Sequence, residues 1–158
     1  MKHSAGILAY RVVNKNPEIL LIHTGGPYGL DKSARTWSIP KGEIENGEDS
    51  LNTAIREFHE ETGLEVNKQE VKYLAFIEQS SMKDVEVYVI KKDFDLTAFT
   101  SNTFELEWPK GSGIINTYPE ADNIGYFSEE DARKMMFKGQ VQLLDYLDLY
   151  MQGEGLGD

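Results

Sequence analysis

The stretch Gly42–Leu64, GEIENGEDSLNTAIREFHEETGL, holds seven Asp or Glu residues among 23, with Arg56 as its only Lys or Arg. Within it Leu51, Ala54, Ile55 and Phe58 fall at i, i+3, i+4 and i+7, which predicts an amphipathic helix over about 50–61 with one buried stripe. Asp49 or Ser50 suits its N-cap, and Gly63 its left-handed C-cap. Glu57, Glu60 and Glu61 neighbour one another on a different face, at i, i+3 and i+4. Each like-charged pair at that spacing costs roughly 0.2–0.5 kcal/mol, and each exposed carboxylate in the last turn opposes the helix dipole by roughly 0.3–1 kcal/mol. Helix stability alone does not select this pattern. A cation between the three would reverse the sign of every term. The plain alternative is a solvated acidic face, and an isolated ExxEE does not separate the two readings.

The flanks shift the balance. PKGEIENGE, residues 40–48, is a Gly-bearing loop whose backbone can approach a ligand closely. Arg56, flanked by acids, can hold carboxylates bidentately and fix their rotamers, with Glu48 as one partner. Carboxylate oxygens are the ligands Mg²⁺ prefers, in sites that keep water and commonly include substrate phosphates.

Around this centre the chain reads as alternating sheet and helix. Residues 5–13 and 18–23 are dense in aliphatics and predict two strands in a hairpin around Asn14–Pro17. TGGPYGLDKSAR, 24–35, is a loop long enough to be functional, and WSIP is a short strand stopped by Pro40. Residues 70–79 and 85–92 predict two more strands, TFELEWP a short one, and IGYF, 124–127, the last. PKGSG and NTYPEADN read as loops. Ser128 with Asp131 starts a second helix, a third follows Gly139 at about 140–151, and GEGLGD is expected to be a mobile tail. No repeat or linker interrupts 1–152, which is expected to form a single α+β domain built on a mixed sheet with helices inserted.

Composition bounds the function. The net charge of −11 disfavours a nucleic-acid polymer or an anionic lipid surface as partner. A small phosphorylated ligand stays possible, because local cations can reverse the field within one cleft. There is no cysteine, hence no disulfide or thiolate metal site, in keeping with a cytoplasmic protein. No apolar run approaches the roughly 18 residues that span a bilayer.

From Gly42 the chain reads Gly, five residues, Glu48, seven residues, then Arg56-Glu57-Phe58-His59-Glu60-Glu61-Thr62-Gly63-Leu64. This resembles the Nudix box, GX5EX7REUXEEXGU with U a bulky aliphatic. Every fixed position is filled, and only Phe58 departs from the usual aliphatic. AGILAYR, GGPYG, WSIPKGE, FELEWPKGSG and YPEADNIGYF also look like bacterial MutT-like proteins described as NTP pyrophosphohydrolases.

The resemblance implies an α/β/α sandwich and a Mg²⁺-dependent (or Mn²⁺-dependent) hydrolase acting on a nucleoside diphosphate linked to another moiety. It implies Glu57 and Glu61 as metal ligands, Glu60 as ligand or general base, the Gly42 carbonyl completing the shell, and Glu48 and Arg56 orienting the ligands. Members often use a further acid outside the box; Glu120 is the first choice here and Glu78 the second. Lys41 is the best placed to meet a phosphate, with Arg35, Lys32 and Lys110 behind it, and Trp37, Tyr28 and Tyr118 are candidates to stack a base. The histidines His3, His23 and His59 lack ligand-like spacing and read as structural or exposed, and Met135 and Met136 as helix packing.

Two alternatives stay open. One is a dinucleoside polyphosphate hydrolase, supported by WSIPKGEIENGED but lacking the tyrosine 16–18 residues past the box seen in some of those enzymes. The other is a non-catalytic Nudix nucleotide sensor, disfavoured by the intact box. A structural Ca²⁺ or Mg²⁺ helix lacks the spacing of an EF-hand. The expected assembly is a monomer or homodimer.

Overall fold

A computed structural model describes residues 1–26 and 35–157, with side chains through 154. The frame is set by β1 (Lys2–Val13), whose central residues Ala5 to Tyr10 are buried on both faces. A strand covered on both sides reads as a continuous apolar run, as GILAY does. β2 (Asn16–Thr24) returns antiparallel through a two-residue turn in which Asn14 and Lys15 both have positive φ, 50° and 69°. Turns of that hand match the twist of the flanking strands.

On its other side β1 pairs in parallel with β6 (Lys83–Lys91), in register from Lys2↔Lys83 to Tyr10↔Lys91. β5 (Lys72–Ser80) pairs with β6 and β9 (Ala121–Ser128) with β2, both antiparallel. The short β3 (Trp37–Ser38) lies on β2 and β4 (Lys41–Glu43) on β1, completing a mixed seven-stranded sheet.

Helix α1 (Ser50–Thr62) covers one face of the sheet, and α2 (Glu129–Met135) with α3 (Gln142–Gly157) covers the other. Two cores result. Ala5, Ile7, Ala9, Leu20, Ala54, Phe58 and Phe94 pack under α1; Leu8, Ile19, Leu21, Val87, Met136, Leu143 and Leu147 pack under α2 and α3. This is the expected α/β/α arrangement. The α1 caps also follow the sequence: Asp49 accepts from the Asn52 amide at 2.8 Å, and Gly63, at φ 74°, donates to the His59 carbonyl at 2.7 Å.

Two readings are corrected. NTYPEADN is not a loop: β7 (Thr103–Glu107) and β8 (Ile115–Pro119) form a separate two-stranded sheet, and β9 starts at Ala121. What makes β8 a strand is a cross-strand neighbour, Phe104 opposite Tyr118 with ring centroids 5.9 Å apart, which no local pattern announces. The third helix extends through Gly157, well beyond 151, after a 3₁₀ turn at Lys138–Gln140.

Candidate active site

The local sequence brings α1 and β4 together at one point. Gly42 faces Glu57 so closely that a Cβ there would land on the Glu57 carboxylate and push that side chain from its place. The C-terminal turn of α1 is tied to the root of the β7–β8 hairpin: the Asn102 amide donates to the Glu60 carbonyl at 2.8 Å and the Thr100 amide to Thr62 at 2.9 Å. Asn102 in turn accepts from the Glu120 amide at 2.8 Å. Glu120 thereby enters the space in front of α1 from the opposite side.

One ligand atom each from Glu57, Glu61 and Glu120 lies within 4.8 Å of the other two. Glu61 Oε2 is buried and has no hydrogen-bond partner. Burial, then the charges of Glu57 and Glu120, pushes the Glu61 carboxyl well above its ordinary range, against the pull of Lys41. Burial also raises Glu57 and Glu120, which feel Glu60 as well. Three carboxyls that each resist ionisation, one with an orphaned oxygen, are the electrostatics of a site shaped for a cation.

Arg56 organises the acids around the trio. Its Nε and Nη2 donate to both oxygens of Glu48, at 2.7 and 2.9 Å, and Nη1 reaches Glu57 at 2.9 Å and Glu60 at 3.1 Å. The guanidinium holds Glu48 down at about 2, helped by the Glu45 amide and the Thr53 hydroxyl. Glu60 stands outside the close trio, fixed by Arg56 and facing solvent more than Glu61 does. Glu78 is exposed on β5 and joins no cluster among the described residues.

Beside the trio a cleft of about 330 Å³ is lined by Thr24, Ser38, Lys41, Glu61, Gln79, Lys83, Glu120 and Phe137. Lys41 is largely buried there. Its ammonium is lowered first by burial and then by Lys83, so the cleft holds two cations in mutual repulsion.

The other substrate candidates are elsewhere. Trp37 packs edge-on between His23 (5.2 Å) and Phe127 (4.8 Å) on the α2–α3 side of the sheet, because a large ring there fills core. Arg35 Nη1 caps the end of α2 through the Arg133 and Met136 carbonyls, at 3.1 and 3.2 Å. Lys110 is exposed at the β7–β8 turn, and Tyr118 packs on Phe104. Tyr28 and Lys32 lie outside the described residues. Of the histidines, His3 pairs with Asp84 and His23 with Asp122, and His59 is exposed. Met136 is fully buried in the core under α2. Sequence reasoning missed Lys83 and Gln79: they reach the cleft through strand register, and nothing in their local sequence marks them, whereas Thr24 opens the stretch expected to be a functional loop.

The family model for the NUDIX domain matches residues 2–147, nearly the whole chain. The chain belongs to the NUDIX domain family. Over 106 residues, 66% of the chain, it is 35% identical to Nudix hydrolase 5 of Arabidopsis thaliana, and over 50 residues, 32% of the chain, 46% identical to an RNA pyrophosphohydrolase of Dinoroseobacter shibae. It spans only 32% and 30% of the length of those two relatives. The Nudix architecture is shared with an Ap4A hydrolase of C. elegans, at TM-score 0.64 and 22% identity over 97% of this chain and 99% of the other. Gly42, Glu48, Arg56, Glu57, Glu60 and Glu61 lie in the stretch that resembles the Nudix box, and Glu120, which meets Glu57 and Glu61, lies outside it.

Proposed function

We propose that this chain hydrolyses a diphosphate linkage in a nucleoside diphosphate joined to another moiety, by attack of water at phosphorus, with Mg²⁺ or Mn²⁺ as cofactor. The observation that carries this is the buried, unpartnered Glu61 Oε2 set beside Glu57 and Glu120. A buried carboxylate oxygen without a donor is among the least tolerable groups in a fold unless a ligand completes it. The all-oxygen donor set suits a hard cation held by Glu57, Glu61 and Glu120, with Gly42 leaving the space for Glu57.

Such an ion, when bound, neutralises phosphate oxygens and acidifies water. The residues do the rest. Arg56 fixes the rotamers of Glu57 and Glu60, so their orientation is settled before substrate arrives. Glu60, outside the trio with one oxygen held by Arg56, is the carboxylate placed to take the proton of the attacking water. Lys41 meets the phosphate oxygens next to the trio, and Lys83 those further along the cleft. The acidic surface favours a small nucleotide over the end of a polymer.

Lys83 also favours a second reading, a dinucleoside polyphosphate as substrate, because two ammonium groups in one cleft match a run of phosphates longer than two. The test is a phosphate- and pyrophosphate-release screen over nucleoside triphosphates, nucleotide sugars and dinucleoside polyphosphates with Mg²⁺ or Mn²⁺. Turnover that needs the ion is expected, and the preferred panel member chooses between the readings. No turnover across the panel would overturn hydrolysis and leave a nucleotide-binding Nudix domain.

A further inference from the structure

The members of the carboxylate trio are held unequally. Glu57 is fixed by Arg56, and Glu61 accepts from the Lys41 backbone amide. The Glu120 side chain makes no hydrogen bond or ion pair among the described residues. Its peptide alone is tied, through its amide to Asn102 at 2.8 Å and its carbonyl to the Gly25 amide at 3.0 Å. Where Glu120 points therefore depends on the backbone torsions that follow it.

Those torsions belong to a bulge. The β2–β9 ladder is regular from Glu18↔Ser128 to His23↔Asn123, then skips to Thr24↔Ala121, which leaves Asp122 as the extra residue. A bulged residue drops out of the ladder, and bulges beside sites redirect side chains. Asp122 is held instead by its side chain, which accepts from His23 Nδ1–H at 2.7 Å. His23 is itself immobilised edge-on against Trp37 at 5.2 Å, and Trp37 against Phe127 at 4.8 Å. The imidazole thus anchors the bulge to a packed aromatic stack on the far side of the sheet. No Cβ fits at Gly25, where it would strike the Pro119 carbonyl, so the chain entering Glu120 is confined as well.

We propose that His23 and Asp122 form a positioning pair that fixes the bulge and thereby presents the Glu120 carboxylate to Glu57 and Glu61. The proposal rests on the reading of the trio as a cation site. An ordinary stabilising pair would lower the melting temperature and leave metal binding unchanged in the folded protein.

The experiment uses the whole chain and measures Mn²⁺ affinity by titration calorimetry or electron paramagnetic resonance without substrate, together with kcat, KM and the metal-free melting temperature. Asp122→Ala and His23→Ala are expected to weaken Mn²⁺ binding roughly tenfold, within the roughly 10–100-fold range for groups that orient ligands, with KM little changed. In a Glu120→Gln background Asp122→Ala should add almost nothing, since the carboxylate it positions is gone. Asp122→Asn keeps an acceptor for His23 and should retain most of the affinity, which also covers the case where the alanine variants fold poorly. Equal losses with and without Glu120, or wild-type Mn²⁺ affinity in Asp122→Ala, would overturn the pair's role while leaving hydrolysis standing. Non-additive Mn²⁺ binding with no substrate turned over would sink hydrolysis and keep the pair. A wild-type chain that binds no Mn²⁺ would end both.

Discussion

Two acidic clusters in this molecule are built around an arginine, and they have opposite characters. Arg133, joining α2 to α3, donates to Glu129 and Asp145 at 2.8 Å each and lies 3.9 Å from Asp148. Arg56 on α1 donates to Glu48, Glu57 and Glu60. Charge counts and distances are nearly the same. The difference is what lies behind the arginine. Behind Arg133 is solvent, with Asp145 71% exposed; Glu57, which Arg56 holds, stands beside Glu61, whose Oε2 is buried and has no hydrogen-bond partner. Desolvation, and not the number of acids, separates a site from a salted surface.

The largest effect should come from the residue that makes the difference. Glu61→Gln is expected to lower kcat by on the order of 10²-fold or more, with folding intact, and Glu60→Gln by a similar factor. Near-wild-type turnover in both at saturating Mg²⁺ would place the chemistry elsewhere. Divalent metal should also raise the wild-type melting temperature, since a ligand at 100 times its Kd stabilises by about 2.7 kcal/mol. Glu61→Gln should lose that shift, and a variant at Glu129 should keep it.

Next comes the arginine itself. Arg56→Lys replaces a fork that engages three carboxylates with a single ammonium, and should cost roughly tenfold in kcat and about 1–2 kcal/mol of stability. Arg133→Lys removes contacts that are largely hydrated and should stay within about 0.5 kcal/mol, with kcat unchanged. Parallel urea melts and steady-state assays of the two variants decide it. Equal losses would mean that burial does not distinguish the clusters.

How much of this was legible in the sequence follows from whether the information was local. The α1 helix, its caps and the Arg56–Glu48 pair were readable because they lie within one periodic stretch, Gly42–Leu64. Glu120 was named from the resemblance; its meeting with Glu57 and Glu61 depends on Asn102, which no spacing reveals. Lys83 was missed because its place is set by parallel pairing with Lys2, a residue about half the chain away. Trp37 shows the converse: an aromatic beside a loop looks the same in sequence whether it faces ligand or core, and of the candidate stacking rings it was the one expected to be packed, as its contacts with His23 and Phe127 show it to be.

The smallest effect is a pH dependence, and its sign is fixed. Glu61 has a folded-state carboxyl raised above its ordinary value by burial, so between those two values the folded chain holds a proton that the unfolded chain releases. Stability from that group is fully present below the ordinary carboxylate value and is lost as pH rises through the raised one. The metal-free protein should therefore melt higher at about pH 5, just above the ordinary carboxylate value, than at pH 8. Asp148, raised to about 6 by burial and by a hydrogen bond to Glu129, adds a term of the same sign, weakened because it is 41% exposed. Glu48 acts the other way, since Arg56 holds it down at about 2, and its stabilisation fades only as pH falls below the ordinary value. Calorimetric melts at both pH values, with Glu61→Gln and Asp148→Asn, apportion the slope. Most of it should vanish with Glu61→Gln and little with Asp148→Asn, and the reverse result would make the exposed cluster the more strained of the two.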